Sequence, residues 1–585
     1  MTNLDDLRDQ ILAQKPTDQQ EDAIFAEELE FLLRAAPGSG KTWTSSRRFI
    51  WRGANWPYSA GGLALLSFTN TAIREFQEAT IKVGLRGLLS DPNYVGTFDS
   101  FVERFILTPF GHLVVGSPKR PKLFLAPRPG DRSKKKLIAW AELKGGKKLQ
   151  VPAWEIIPFP HKGKVAFKAS TALGGMKLEL RENNPVKELM SLGFYTHPQR
   201  VYWAWRILSD HPHIARVIAR RFPEIIVDEA QDTNVWLLVI LNLLRTKGAK
   251  ITLVGDPDQC IYEFSMANAG YLSQLKERWG IPEKPLSQSF RCNNQIAGAV
   301  LNIGGNQAFT GCGDGSNEHR RAFIVRDPGK RFAHSVARFQ ELLDHAGIDK
   351  TSTAIICRAH QQLEDIRGEV TYTKLKGLTA RLARASFFRD CHKDYKKAFQ
   401  IVESSLRSIT EDSGVWDRVD ESSESEEAQK VKMAIWRFVK SDSGLPPVSL
   451  CGSEWISQLR NGLEKVISNL GVENAPNINL KIKKTGLNED QMKLALFDSQ
   501  GLFPPIRQET IHHVKGESID GVLVLGSARF WNSVVDSVIT GTSSEDRRLA
   551  YVAMTRARHV VALGLPASHY DNHAEKWIAW GFSVL

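Results

Sequence analysis

Cysteine is scarce in this sequence, and long apolar runs are missing. The six cysteines are spread over 585 residues without a Cys-x-x-Cys pair, which argues against an iron–sulfur or zinc module and fits free thiols in a reducing compartment. The longest apolar run, Val235 to Leu241, is far shorter than the roughly 20 residues that cross a bilayer. The first residues are acidic and do not resemble a signal peptide. We therefore expect an intracellular, cytoplasmic protein with no membrane partner.

Acidic residues are outnumbered by basic ones. The chain contains 77 Lys and Arg against 65 Asp and Glu, which gives a net charge of +12. Such an excess is compatible with a nucleic-acid partner but is weak evidence by itself. The length allows three or four domains with sizeable cores.

The segment Ala35–Thr42, Ala-Ala-Pro-Gly-Ser-Gly-Lys-Thr, has the pattern of a phosphate-binding loop. Small residues let backbone N–H groups face a triphosphate, and the following helix offers the positive end of its dipole. Lys41 is expected to reach the β- and γ-phosphates, and the Thr42 hydroxyl is expected to bind Mg²⁺. The usual pattern has Gly where this chain has Ala35. The loop residues predicted to bind ATP are Ala36, Pro37, Gly38, Ser39, Gly40, Lys41 and Thr42.

A second apolar segment, Ile225–Val227, ends in two acids, Asp228 and Glu229. This is the pattern of a buried parallel strand that delivers carboxylates at its C-terminal end. Asp228 would hold Mg²⁺ through water, and Glu229 would accept the proton of the attacking water. The alternative is a strand that ends in solvated acids. The continuation Ala-Gln-Asp-Thr argues against that alternative because it completes a helicase motif.

Further motifs accompany these two along the chain. They are Pro16–Gln20, Ser67–Ala72, Gly96–Phe101, Val254–Tyr262, Gln288–Arg291, Thr510–Glu517 and Arg547–Ala557. On these motifs, which occur in family order, the chain resembles the superfamily 1 DNA helicases of the UvrD/Rep/PcrA type, in a compact form with a reduced 2B domain. In the family's terms, Val254–Tyr262 resembles motif III, Thr510–Glu517 resembles motif V and Arg547–Ala557 resembles motif VI, while the segment that begins at Asp228 is motif II.

The resemblance implies an ATP-dependent helicase that uses ATP and Mg²⁺. Gln20 would pair with the adenine edge, Phe290 would stack on the base and Glu517 would approach the ribose. Arg291 and Arg556 would arrive from the second motor domain as arginine fingers. Gln259 would sense the γ-phosphate. The expected catalytic residues are Lys41, Asp228, Glu229, Gln259, Arg291 and Arg556, and the expected metal ligands are Thr42 and Asp228.

The implied partner is single-stranded or tailed duplex DNA. Aromatic stacking tolerates any sequence and contributes about 1–3 kcal/mol per base, which suits a motor that moves over every sequence. The residues expected to stack on bases are Phe68, Tyr262 and Phe264, and those expected to contact phosphates are Thr69, Thr97 and His512. The form of motif II, Asp-Glu-Ala-Gln-Asp, belongs to relatives that move 3′-to-5′.

Three positions depart from the family pattern. Many relatives have Arg after Gly-Lys-Thr, where this chain has Trp43, which could stack on the base instead. Phe264 stands where relatives often carry Trp. In motif V the acid lies one position away from its usual place in the family, and it is Glu517 in this chain.

Strand-like and helix-like segments alternate, which predicts an α/β fold. We expect two RecA-like parallel-sheet motor domains with inserted, mainly helical accessory subdomains. The first motor would comprise residues 1–101 and 214–280, with a 1B-like insertion at 102–213. The second would comprise 281–358 and 506–585, with a reduced 2B-like insertion at 359–505. The predicted strands are Phe31–Arg34, Leu63–Phe68, Ile225–Asp228, Ile251–Gly255, Ala322–Val325, Thr353–Cys357, Thr510–His512, Gly521–Leu525 and Val560–Gly564.

Both insertions contain biased segments. Between Ser117 and Lys136 there are eight Lys or Arg and one acid, which predicts either a solvated basic loop or an arm that contacts DNA phosphates. The segment Glu411–Glu427 contains eight acids and one Arg, which favours a solvated or disordered linker. The aromatic residues Tyr202, Trp203 and Trp205 fit a core better than a base-stacking surface.

Three functional hypotheses follow. The preferred one is an ATP-dependent 3′-to-5′ DNA helicase. The second is a translocase without processive unwinding, which the reduced 2B insertion favours somewhat. The third is an ATPase subunit of a nuclease-containing antiphage complex of the Gabija kind, which rests on analogy of size and architecture.

Overall fold

The chain is organised into two compact units. The first consists of residues 1–328, 334–348 and 511–585, and the second of residues 329–333 and 349–510. The computed structural model describes residues 3–115, 120–124, 138–142, 148–161, 164–169, 177–178, 185–261, 269–304, 309–313, 317–329, 332–358, 378–390, 394–410, 415–416, 426–447, 450, 452–472, 478, 482 and 506–585.

A six-stranded parallel sheet forms the centre of the first unit. Successive side chains along its strands point to opposite faces, so that each strand contributes to two apolar cores. Leu32 and Leu66 belong to one core, and Leu33 and Leu65 to the other. In spatial order the strands are Glu283–Leu286, Leu32–Ala35, Lys250–Gly255, Glu224–Val227, Leu63–Ser67 and Tyr94–Thr97.

Helices cover both faces of this sheet. Polar side chains fix several of their first turns, as in the capping box formed by Thr17 and Gln20 and in the cap that Thr69 provides to the N–H of Ala72. The α-helices in the part of the chain up to residue 279 are Leu4–Leu12, Asp18–Phe25, Lys41–Ala54, Asn70–Lys82, Phe98–Val102, Thr108–Phe110, His112–Val115, Pro185–Ser191, His197–Asp210, Pro212–Arg221, Val235–Thr246 and Ala269–Trp279.

A second parallel arrangement uses residues from the C-terminal part of the first unit. In spatial order its strands are Ile519–Leu525, Ala557–Pro566, Ala322–Asp327 and Ser583–Val584. The helices in this region are Asn294–Ile303, Ala333–Ala346, Ala528–Ile539, Glu545–Met554 and Ala567–Ala579, and a short parallel pair is formed by Gln288–Asn293 and Thr310–Cys312. These parallel strands with flanking helices confirm the α/β class.

The strand Glu283–Leu286 corrects one predicted boundary. It pairs with Leu32–Ala35 in the first sheet, although the sequence division ended the first motor at residue 280. Its Pro285 fits an edge position, where one side of the strand makes no ladder bonds. The rest of the six-part division stays a prediction.

The first insertion mixes helices with strands, whereas the sequence predicted mainly helical subdomains. Ile138–Glu142 pairs antiparallel with Lys148–Pro152, and Ile156–His161 pairs antiparallel with Lys164–Ala169, which also pairs with Lys177–Leu178. Val165 and Phe167 pack against the core of the first unit. These strands are short, and Lys or Pro in four of the five interrupts the alternation of apolar side chains. Most of the basic segment Ser117–Lys136 lies outside the described residues.

The second unit is mainly helical in its described part. Its α-helices are Leu378–Asp390, Tyr395–Ile409, Glu426–Lys440 and Gly452–Asn469, and they enclose a separate apolar core around Trp455 and Leu459. The unit also contains a parallel strand pair, Thr353–Cys357 with Arg507–Thr510. The predicted strand Thr510–His512 is therefore wrong in position, because the strand ends at Thr510 and the chain turns immediately afterwards. Most of the acidic segment Glu411–Glu427 lies outside the described residues.

The aromatic cluster near residue 203 belongs to the core, as predicted. Tyr202 and Trp203 are 3% and 4% exposed. Trp205 packs against the same core, and its ring centroid lies 4.8 Å from that of Trp236. Among the described helices, none is both long and apolar enough to span a membrane.

We predict that Trp236→Ala destabilises the protein by about 3–5 kcal/mol, because truncation of a buried aromatic side chain leaves a cavity. Trp236 is 1% exposed, and its indole N–H donates to the carbonyl of Pro158 at 2.9 Å. Chemical denaturation measures the change in the free energy of unfolding. Ile81→Ala is the control, since Ile81 is 51% exposed, and its effect should stay within about 0.5 kcal/mol. Equal effects of both substitutions would contradict the core assignment.

Candidate nucleotide-binding site

The loop before the helix Lys41–Ala54 has the backbone of a phosphate-binding loop. Gly38 and Gly40 adopt left-handed conformations, with φ of 74° and 80°, which favour Gly. A Cβ atom at Gly38 would lie 2.6 Å from the Cβ of Arg291, and one at Gly40 would lie 2.8 Å from Nε2 of Gln20. The helix begins without a side-chain cap, so that its first N–H groups can donate to an anion.

The other predicted loop residues, Ala36, Pro37 and Ser39, lie in the same turn. The N–H of Ala36 donates to the carbonyl of Leu286 at 2.8 Å, which ties the loop to the edge strand. The Ser39 hydroxyl oxygen is buried and has no hydrogen-bond partner within the described part of the chain. A buried polar atom without a partner is costly, and a phosphate oxygen is the kind of acceptor that would satisfy it.

Asp228 lies at the C-terminal end of the strand Glu224–Val227 and is fully buried. Its carboxylate oxygens lie 3.4 Å from the Thr42 hydroxyl and 3.5 Å from the Ser45 hydroxyl. Burial and the neighbouring Glu229 raise the pKa of Asp228 to about 8. A hydroxyl beside a carboxylate fits Mg²⁺, which binds few protein oxygens and completes its shell with phosphate and water. The structure thus brings both predicted metal ligands together.

Glu229 occupies a strained position beside the loop lysine. It has a positive φ of 53°, which is uncommon outside Gly and is often found at functional sites. One carboxylate oxygen lies 3.6 Å from Nζ of Lys41, and the amide of Gln231 donates to the same oxygen. Burial acts to raise the pKa of Glu229, but the positive charges of Lys41 and Lys515 outweigh it and hold the pKa below its usual value. Glu229 is therefore ionised, as a general base requires.

A buried ion pair joins two distant motifs. Nζ of Lys515 lies 2.7 Å from both carboxylate oxygens of Asp232 and donates to the carbonyl of Gln259 at 3.0 Å. Burial raises the pKa of Asp232 to about 6, although Lys515 opposes the shift. This pair therefore holds motif V, Thr510–Glu517, against the acidic motif that contains Asp232.

Gln259 and Arg556 are in direct contact. The Gln259 amide donates to Asp256 at 2.8 Å, and its oxygen accepts from the guanidinium of Arg556 at 3.2 Å. Arg556 is 1% exposed and also donates to the carbonyl of Val552. Burial, followed by the nearby positive charge of Arg291, lowers the pKa of Arg556 to about 9. A desolvated guanidinium of this kind is costly unless it meets negative charge.

Arg291 lies close to Arg556 in the structure. Its guanidinium donates to the Ser518 hydroxyl at 2.7 Å and to the carbonyl of Thr555 at 3.2 Å. The adjacent Phe290 is 51% exposed, and its N–H donates to the carbonyl of Gly38 at 2.9 Å. Arg291 and Phe290 thus contact the phosphate-binding loop at Gly38, whereas Arg556 is joined to Arg291 through Thr555.

Gln20 contacts the same loop through its side chain. Its Nε2 donates to the carbonyl of Ser39 at 3.0 Å, and its oxygen accepts from the N–H of Thr17 at 3.0 Å. Glu517, the predicted ribose contact, is half-buried, and its N–H donates to the carbonyl of Val514.

Among the described residues, the predicted DNA contacts Phe68, Thr69 and Thr97 lie at or just after the C-terminal ends of the strands Leu63–Ser67 and Tyr94–Thr97. Phe68 is partly exposed, with its ring centroid 6.3 Å from that of Phe98. Thr69 and Thr97 each cap a helix through their hydroxyls. His512 lies with Nε2 3.2 Å from the carbonyl of Ile261. Tyr262 and Phe264 lie outside the described residues.

Several residues of the site have no role predicted from the sequence. All of them except Ser45 lie inside the motifs given above, so the motif positions themselves were the available signal. They are Ser45, Gln231, Asp232, Asp256, Lys515 and Thr555.

Comparison with known proteins finds similarity to the helicases that the sequence motifs resemble. Residues 16–138 and 164–279 match the family model of the UvrD/REP helicase N-terminal domain. DNA helicase II of Escherichia coli (strain K12) is 25% identical over 299 residues, which cover 48% of this chain and 39% of that protein. ATP-dependent DNA helicase srs2 of Schizosaccharomyces pombe is 26% identical over 300 residues, covering 46% of this chain and 32% of that protein.

A third relative shows a similar identity and coverage. ATP-dependent DNA helicase UvrD1 of Mycobacterium tuberculosis (strain ATCC 25618 / H37Rv) is 25% identical over 308 residues, covering 49% of this chain and 38% of that protein. The matched regions thus span less than two fifths of these curated relatives. These comparisons confirm the resemblance that the motifs predicted.

We predict that Lys515→Met destabilises the protein by about 3–5 kcal/mol at pH 8.5, because it leaves the Asp232 carboxylate buried without its partner. Without Lys515, the folded-state pKa of Asp232 rises further above its unfolded value. A raised acid pKa means that the folded state holds its proton more tightly, so stability falls as pH rises through that pKa. The destabilisation relative to wild type should therefore be smaller at pH 5. Thermal or chemical denaturation at both pH values measures it.

The double variant Lys515→Met with Asp232→Asn provides the control. Removing the charge of Asp232 should restore much of the lost stability and abolish the pH dependence of the difference. A loss of equal size at both pH values would show that Lys515 acts through packing alone.

Proposed function

We propose, on the premise that the chain is a relative of the UvrD/Rep helicases, that it is an ATP-dependent DNA helicase. The main support is the direct contact between Arg556 and Gln259, close to the pair of Lys41 and Glu229. Two acids, a loop lysine and a buried arginine would then act together on a bound triphosphate. Such a constellation serves phosphoryl transfer, in which catalysis is mostly positioning and electrostatic stabilisation.

The reaction assigned to the site is hydrolysis of the β–γ phosphoanhydride bond. Lys41 and the N–H groups that begin its helix would bind the β- and γ-phosphates. Thr42 and Asp228 would hold Mg²⁺, which supplies positive charge to the phosphate oxygens when bound. Glu229 would accept a proton from the attacking water, because its carboxylate is ionised and is oriented by the hydrogen bond from Gln231.

Arg291 and Arg556 would neutralise the charge that develops on the transferred phosphoryl group. Both guanidiniums are tethered through Thr555: its carbonyl accepts from Arg291, and its hydroxyl accepts from Arg556 at 3.1 Å. This common tether would let the two arginines respond together to the nucleotide. Gln259, which bonds Arg556, would report the presence of the γ-phosphate.

Movement along single-stranded DNA in the 3′-to-5′ direction is the finer part of the proposal. It rests on the Asp-Glu-Ala-Gln-Asp form of motif II and on the aromatic and hydroxyl side chains at the sheet edge. Phe68, Tyr262 and Phe264 are proposed to stack on bases, and Thr69, Thr97 and His512 to contact phosphates. The bond from His512 to the carbonyl of Ile261 supports this set, because it joins motif V to motif III.

We predict that DNA stimulates ATP hydrolysis and that Glu229→Gln slows turnover by orders of magnitude while ATP stays bound. The substitution removes the proton acceptor but keeps the size of the side chain. Steady-state ATPase rates and nucleotide-binding titrations measure the two effects separately. Lys41→Ala should weaken both binding and turnover, since Lys41 contacts the phosphates.

Glu277→Gln is the matched control, because Glu277 is exposed on the helix Ala269–Trp279. Its rate should equal that of the wild type. Wild-type turnover by the Glu229→Gln protein would exclude Glu229 as the base.

We predict that the enzyme displaces a strand from duplexes with a 3′ single-stranded tail and not from those with only a 5′ tail. The double variant Tyr262→Ala with Phe264→Ala should keep basal ATPase activity but lose strand displacement, because stacking couples hydrolysis to movement. Strand-displacement assays on both tailed duplexes measure the two effects. Efficient unwinding from 5′ tails alone would refute the polarity, and normal unwinding by the double variant would refute the stacking role.

A further inference from the structure

Three consecutive main-chain carbonyls of motif III are contacted by side chains that lie after residue 510. In chain order from residue 259 to residue 261, the nitrogen atoms that contact them are Nζ of Lys515 at 3.0 Å, Nε of Arg548 at 2.7 Å and Nε2 of His512 at 3.2 Å. Motifs V and VI therefore hold the backbone of motif III at each of these three residues.

The backbone of motif III needs such donors at this point. Cys260 and Ile261 lie outside the helices and strands of the structure, and both are 0% exposed. A buried carbonyl outside regular secondary structure must find its hydrogen-bond donor elsewhere, because an unpaired one is costly. Side chains from motifs V and VI provide the donors, so that the path of this backbone depends on them.

Arg548 contacts the middle carbonyl of the three. Its side chain is 4% exposed, and its guanidinium also donates to the hydroxyl of Ser543 at 2.7 Å. Arg548 belongs to the helix Glu545–Met554, which ends two residues before Arg556. Hydrogen bonds from a buried charged group are among the strong ones in proteins. Arg548 therefore connects the helix that precedes the predicted arginine finger to the backbone of motif III.

The backbone that Arg548 contacts lies between two residues with different proposed tasks. Gln259 accepts a hydrogen bond from Arg556 and is proposed to sense the γ-phosphate. Tyr262, which is proposed to stack on a DNA base, follows Ile261 directly in the sequence. A displacement of the helix that carries Arg548 would therefore act on the main chain between these two residues.

We propose that Arg548 is a positioning residue that couples ATP hydrolysis to DNA, because it fixes the main chain of motif III at Cys260. This inference deepens the proposed function and rests on it. In this role Arg548 acts through the carbonyl of Cys260 and not through contact with the nucleotide or with DNA. Its loss should therefore affect the response of ATP hydrolysis to DNA more than hydrolysis in the absence of DNA.

Two substitutions separate the hydrogen bond from the rest of the side chain. Arg548→Met keeps a long apolar stem but has no donor. Arg548→Gln places an amide nitrogen the same number of bonds from Cα as Nε of arginine, so that it can donate to the carbonyl of Cys260 without a positive charge. Arg320→Met is the matched control, because the guanidinium of Arg320 donates to a main-chain carbonyl in a different helix, that of Ala346, at 3.2 Å.

The first measurement is steady-state ATP hydrolysis by the full chain with Mg²⁺, with and without saturating oligothymidylate. Arg548→Met should lower the ratio of the DNA-stimulated rate to the basal rate by about tenfold, as expected for the loss of a buried hydrogen bond, while the basal rate stays within about threefold of the wild type. Arg548→Gln and Arg320→Met should keep the wild-type ratio. A general loss of stability would lower both rates together and would not change their ratio.

The second measurement is amide hydrogen exchange without nucleotide or DNA. The N–H groups of Gln259 and Cys260 donate to the carbonyls of Asp256 and Pro257, so their exchange reports on the order of this segment. They should exchange about tenfold faster in Arg548→Met, since the neighbouring carbonyl has lost its buried donor. Both should exchange at the wild-type rate in Arg548→Gln and Arg320→Met. Thermal melting of each variant shows that it is folded.

Three results would overturn the proposal. Wild-type stimulation by DNA in Arg548→Met would remove Arg548 from the coupling. An equal loss of stimulation in Arg548→Gln and Arg548→Met would assign the effect to the charge and not to the bond with Cys260. Unchanged exchange at Gln259 and Cys260 in Arg548→Met would show that Arg548 does not fix this segment.

The wild type distinguishes failure of this inference from failure of the proposed function. If DNA does not stimulate ATP hydrolysis by the wild type, the proposed function is contradicted, and the coupling role of Arg548 with it. The exchange rates of the Arg548 variants would still show whether Arg548 fixes the backbone of motif III.

Discussion

A continuous chain of hydrogen bonds joins Glu229 to Arg556, and the geometry of the site depends on it. The Gln231 amide donates to Glu229 and accepts from the N–H of Asp256. Asp256 accepts from Gln259, which accepts from Arg556. This series of hydrogen bonds runs mostly through buried side chains, where each bond is strong and each unpaired polar group is costly. A shift at either end must therefore be accommodated along the whole series.

This series of hydrogen bonds explains how residues that are far apart in the sequence are held together in one site. Its members come from motifs II, III and VI, and the pair of Lys515 and Asp232 adds motif V. A nucleotide that changed the charge next to Glu229 would change the partner of Lys41 and, through the series, that of Arg556. Coupling of this kind needs contacts that differ between two states of the site, and the polar series offers such contacts at every step.

Short sequence patterns predicted much of the fold and of the site. Most of what they did not predict is pairing between side chains that are far apart in the sequence. The loop glycines and the strand that ends at Asp228 follow from short apolar and Gly-rich runs, because backbone geometry restricts those residues. Lys515 and Asp232 are 283 residues apart, and no local pattern reports which lysine meets which acid. The strands of the first insertion were missed because Lys and Pro obscure their alternation.

The acids of the site also show why stability and function oppose each other here. Asp228 is buried with its pKa raised to about 8, so ionising it in the folded protein costs free energy. An Asn would be cheaper to bury, but it could not provide the negative charge that attracts a divalent cation. The hydroxyls of Thr42 and Ser45 offset only part of the cost, since their contacts with the carboxylate are 3.4 and 3.5 Å long. A cation beside Asp228 would favour the ionised form of its carboxyl group and so offset the free-energy cost of ionising it. The residue that weakens the fold would then be the one that strengthens the binding of a metal ion and of the nucleotide.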